Sequence, residues 1–119
     1  MSVKTKRNTF TVNITDPNQP VLLTVSIGQA QIGGSGLNWK GNPASLGKGE
    51  IHQLNLGKGA DIQGRTLELF TNVVDVNPAT NKVLVTYDFS NGQPNPLTLT
   101  DEVDAAGGIL SFVNEINFG

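Results

Sequence analysis

The chain has 119 residues, a net charge of −2, 15% charged residues and no cysteine. That is the length of one domain, enough for a core that needs neither metal nor disulfide, and disulfide and thiolate chemistry are excluded outright. The sparse, mixed charge lacks the basic footprint of a nucleic-acid module, and no apolar run approaches the ~20 residues of a membrane-spanning helix.

The N-terminus carries Lys4, Lys6 and Arg7 but no apolar signal core. Residues 1–7 therefore read as a flexible basic segment ahead of a single domain over 8–119. Without a signal peptide the chain is expected to be soluble, and either cytoplasmic or exported by a route not visible here.

Apolar residues at every second position mark half-buried strands. Phe10, Val12 and Ile14 set the first, over 8–15. Asp16–Pro20 is a loop of turn formers. Val21, Leu23, Val25 and Ile27 set a second strand over 21–32, with a bulge or bend at Gly28. Residues 33–49 hold six glycines and a proline and read as one long loop, with a short strand around Leu37–Trp39.

A strand over 50–56 places Leu54 and Leu56 inward. The next, 65–76, has Leu67, Leu69, Thr71 and Val73 on one face and Phe70, Val74 and Val76 on the other. Apolar residues on both faces predict a strand covered on two sides, or a bulge that swaps faces. The turn formers of 77–81 predict a hairpin between this strand and 82–90. Asn91-Gly92 is a strong turn dipeptide. Strand 97–103 directs Leu97 and Leu99 inward and Thr98 and Thr100 outward, and Ala105–Gly108 turns into a last strand over 109–118.

The sum is an all-β, single-domain antiparallel sandwich of seven or eight strands. Immunoglobulin-like, jelly-roll and C2-like topologies all remain open. Leu69, Val85, Leu99 and Phe112 are expected between the sheets. The last strand carries one charge, Glu115, and at a sheet edge it would pair with a second copy.

Catalytic residue types are few. His52 is the sole histidine, placed in a strand pattern without a nucleophile-elbow serine nearby. The Lys-Gly turns at 47–49 and 57–59 lack the spacing of a phosphate loop. Asp101, Glu102 and Asp104 form an acidic cluster that offers weak metal-ligand candidates, with calcium the metal such oxygens suit. Trp39, the only tryptophan, sits among Asn38, Lys40 and Asn42. Those four are the ligand-binding candidates if the indole stands free, and Trp39 instead plugs one end of the sandwich if it folds inward.

The leading expectation is a non-catalytic domain for binding, adhesion or assembly, with no cofactor and with self-association or another protein as partner. The alternative is a carbohydrate- or calcium-dependent recognition module using the 33–49 loop. A minimal hydrolase around His52 stands third.

Overall fold

The computed structural model describes Val3–Gly119. Ten strands run in chain order: β1 (Val3–Ile14), β2 (Pro20–Ile27), β3 (Ile32–Trp39), β4 (Gly47–Gly49), β5 (Leu54–Lys58), β6 (Thr66–Val74), β7 (Lys82–Phe89), β8 (Gly92–Gln93), β9 (Leu97–Glu102) and β10 (Ile109–Phe118). One helical turn, α1 (Gly59–Ile62), follows β5. The strands form two packed sheets, ordered β4-β3-β6-β10-β1-β8 and β5-β2-β7-β9. No helix of the described residues is long and apolar enough to cross a membrane.

The core lies between the sheets and follows the period of two. Leu67, Leu69, Thr71 and Val73 of β6 point inward with Leu110, Phe112 and Ile116 of β10, opposite Val85, Tyr87, Phe89 and Leu99 of the smaller sheet. The four expected core residues, Leu69, Val85, Leu99 and Phe112, are all buried.

Six local expectations need correction. The pairing is not wholly antiparallel, because β1 runs parallel to β10 from Val3↔Ile109 to Val12↔Phe118. That pairing also carries β1 back to Val3, so Lys4, Lys6 and Arg7 lie inside a strand and not in a flexible segment ahead of it. The long loop of 33–49 is largely strand. Gly33, Gly34 and Gly36 belong to β3, and Phe70 lies where a Cβ on Gly36 would project. An aromatic ring on the neighbouring strand covers the bare backbone of a strand glycine.

The hairpin expected between β6 and β7 does not form, since the two strands sit in different sheets. Gln31, 6% exposed, holds the crossing. Its Oε1 accepts from the Val76 and Asn77 amides at 2.8 and 3.0 Å, and its Nε2 donates to Asp75 Oδ1 at 2.8 Å and to Lys82 O at 3.1 Å. A similar crossing at Gly28–Gln31 ends β2 at Ile27, so the strand read as 21–32 is two strands in two sheets. Finally, β10 lies between β6 and β1. It offers no free edge, and pairing with a second copy along it is ruled out.

Candidate functional site

Strand parity separates the four residues grouped around Trp39. Trp39 points inward and is 6% exposed. Its ring meets Phe118 edge-on at 5.9 Å, and the Arg65 guanidinium lies 4.2 Å from the ring centroid on one face. The indole therefore closes one end of the core, and the cation adds on the order of 0.5–2 kcal/mol. Asn38 and Lys40 point the other way, onto the outer face of the larger sheet. Asn38 Nδ2 donates to Glu68 Oε1 at 3.0 Å and to Asn42 O at 3.1 Å, while Lys40 pairs with Glu115 at 3.1 Å. Asn42 caps its own turn by accepting from the Ala44 amide at 3.0 Å.

The acidic cluster is also divided. Asp101 lies beside β1, where Lys4 Nζ approaches Oδ1 at 3.1 Å and Lys6 Nζ approaches Oδ2 at 3.7 Å. The Glu102 amide donates to Oδ1 at 2.8 Å. This backbone donor, with the two ammonium groups, holds the Asp101 carboxyl below the usual carboxylate range against a smaller opposing effect of burial. Its oxygens serve a lateral seam between β1 and β9. Glu102 is exposed on β9, and Asp104 is exposed in the turn before β10. No group of three or more His, Cys, Asp or Glu able to hold a metal occurs among the described residues.

His52 lies in a bend between β4 and β5 and is exposed, not in a strand as its neighbours suggest. It shares a lateral groove of about 420 Å³ with Ser26, Ser35 and Glu50. Ser35 is committed elsewhere: its Oγ lies 2.7 Å from Thr71 Oγ1. No hydrogen bond joins His52 to these neighbours among the described residues, so a nucleophile-base pair is not assembled.

The Ser35–Thr71 contact begins a polar chain through the core. Thr71 Oγ1 lies 2.7 Å from the Tyr87 hydroxyl, Asn114 Nδ2 donates to that hydroxyl at 3.0 Å, and Asn8 Nδ2 donates to Asn114 Oδ1 at 3.2 Å. Burial pushes the Tyr87 hydroxyl up to about 12, against the lowering effect of its two hydrogen bonds. The chain joins β3, β6, β7, β10 and β1, and its satisfied groups fix how the two sheets register.

What remains open is the outer face of the larger sheet. Phe70 stands there 43% exposed, at the rim of a groove of about 400 Å³ lined by Arg7, Thr9, Asn38, Glu68, Val113 and Glu115. Glu68 and Glu115 are direct cross-strand partners, a like-charge pairing that is unfavourable in isolation. Asn38 and Lys40 offset it. Sequence reasoning missed this surface because its residues come from four strands, each of which shows only an ordinary alternation. The one available signal was the second apolar parity of β6, Phe70 and Val74. No family model, curated protein or solved structure matches the chain.

Proposed function

We propose that the chain is a non-catalytic recognition or assembly module that works through the outer face of its larger sheet. The observation that carries this reading is Phe70, a large aromatic ring left partly open beside a polar groove on an otherwise well-filled sandwich. Exposed aromatic area flanked by polar side chains is the usual composition of a binding surface. The isolation of His52 supports a module without catalysis, and the engagement of Asp101 by two lysines argues against calcium at the acidic cluster. A photo-crosslinking amino acid at position 70, in the cells that produce the protein, tests the reading. The same probe at Thr98 on the opposite outer face is the control. A discrete adduct from position 70 alone is the expected result. No adduct at 70, or equal labelling from 98, overturns the reading.

A carbohydrate ligand is a second reading, moved from the Trp39 turn to this groove. Phe70 supplies a stacking ring, and Arg7, Asn38, Glu68 and Thr9 supply hydrogen-bonding groups. Calorimetric titration with neutral oligosaccharides checks it: heat that disappears with Phe70→Ala favours the sugar, and the absence of heat removes it.

A further inference from the structure

We propose that a second copy of this chain is the partner, docked face to face on the outer face of the larger sheet about a two-fold axis parallel to the strands, between β6 and β10. This rests on the module reading above and names the occupant.

The register supplies the argument. Ile32, Val74, Ile109 and Val3 are cross-strand partners in one continuous outward row. The two ends of that row, Ile32 and Val3, are 60% and 62% exposed. A two-fold axis along the strands lays each row on its own reverse. Ile32 then meets Val3 of the second copy, and Val74 meets Ile109, so an aliphatic row covers an aliphatic row. Two rows further on, Gly36, Phe70, Val113 and Arg7 align in the same way; the Phe70 ring leans over Gly36, so it meets Arg7 of the second copy. In the row between, Gly34 faces Thr5 and Asn72 faces Ser111. In that row the bare backbone of Gly34 on the β3 side thus meets the larger Thr5 on the β1 side, which is local self-complementarity of shape.

Charge agrees. Arg7 forms no ion pair among the described residues, and Glu68 is held there only by a neutral amide. In the docked arrangement Arg7 stands over the β3 side of the second copy, one row from its Glu68. Two like pairs remain, Glu68 facing Glu115 of the second copy on each side of the axis, and each is relieved by the Lys40 already on Glu115 at 3.1 Å.

Size agrees as well. The four long strands of this face have eight to twelve residues. At about 4.8 Å between strands and about 3.3 Å per residue they project roughly 600 Å². A corrugated face has more accessible area than its projection, so this approaches the ~800 Å² that each partner of a stable complex buries. The second copy also explains why β6 carries apolar residues on both parities: one side is covered by the smaller sheet, the other by the partner.

The test is mass together with cross-linking. Light scattering on the intact chain should give twice the 12.6 kDa of the monomer. Ile32→Lys, at an exposed position, should weaken the dimer at least about tenfold, some 1.4 kcal/mol, while its melting curve at low micromolar concentration, where the dimer no longer adds stability, stays that of the parent; Thr98→Lys should leave the mass unchanged. The absence of native cysteine allows a sharper arm. Val3→Cys and Ile32→Cys chains, mixed and treated with a short bifunctional maleimide, should link to each other, and either chain alone should link poorly. A monomer mass at high micromolar concentration overturns the dimer, while the position-70 adduct still decides the module reading by the mass of what is attached. A dimer insensitive to Ile32→Lys, or self-linking of either single variant as strong as the mixture, overturns the two-fold arrangement.

Discussion

The two outer faces of this sandwich are built from the same kind of strand and differ in what they present. On the smaller sheet, Ser26, Thr86 and Thr98 form one cross-strand row, and Lys82 sits opposite Glu102. Leu22 and Leu84 are only half exposed there. On the larger sheet, the equivalent surface carries the row Ile32, Val74, Ile109 and Val3, with Phe70 standing above Gly36. Hydroxyls and charges stay in water at little cost. An aliphatic row with both ends open does not, since each buried square ångström of apolar surface is worth roughly 25 cal/mol. Three of the four most exposed large apolar side chains among the described residues, Val3, Ile32 and Phe70, thus lie on one sheet face, the face proposed above for docking.

The strongest way to break the comparison is to put the same charge on the two faces of one strand. Leu99 points inward and Thr98 outward on β9. Leu99→Asp should leave a charge buried without a partner, costing several kcal/mol out of a stability of about 5–15 kcal/mol, and the chain should be unfolded or insoluble. Thr98→Asp should stay within about 0.5 kcal/mol of the parent. Circular dichroism melts of the pair check this, and a folded Leu99→Asp protein would show that the inner face is misassigned.

A smaller effect is expected inside the polar chain. Tyr87→Phe removes the hydroxyl that serves Thr71 and Asn114, costing about 1–3 kcal/mol through the polar groups left without it. The pH dependence has a definite sign. The folded hydroxyl titrates near 12, above its ordinary value of 10.0. Its stabilising contribution is therefore complete below pH 10 and is lost as pH rises from 10 through 12. Tyr87 is the only tyrosine, so tyrosinate absorbance reports this one group. Ionisation near pH 10 in the folded protein would contradict the burial described here.

The smallest effect lies at the seam between β1 and β9. Asp101→Asn should reduce stability by less than about 1 kcal/mol, and less again in high salt. Because the folded Asp101 pKa is lowered, the contribution is present above the ordinary carboxylate range and lost as pH falls through the depressed value. In urea melts the stability difference between parent and variant should be present at neutral pH and vanish at low pH.

The alternating strands were legible because burial on one side imposes a period of two, as at Val83, Val85, Tyr87 and Phe89. The start of β1 was not, because Lys4 and Lys6 occupy its inward parity and look like solvated charge until Asp101 is placed opposite. β3 was hidden by its glycines, which carry no side chain to show a period; the reason for Gly36 lies on another strand, in Phe70. Ser35, Thr71 and Asn114 resemble surface residues one at a time, and only the chain of hydrogen bonds that links them to Tyr87 makes them core. The hairpin between β6 and β7 was misjudged because turn residues show where a chain reverses and not which sheet it enters; Gln31, distant in sequence, decides that. The site follows the same rule: Trp39 was conspicuous by type, whereas the open face is a property of rows that no single strand displays.

Methyl NMR on dilution from millimolar to low micromolar concentration distinguishes a sheet face covered by a second copy from one that stays free. Concentration-dependent shifts are expected at Val3, Ile32, Val74, Ile109 and Val113 on the larger sheet, with Leu22 and Leu84 on the smaller sheet unchanged. Shifts at Leu22 and Leu84, or invariance of all seven residues, would contradict the docked arrangement.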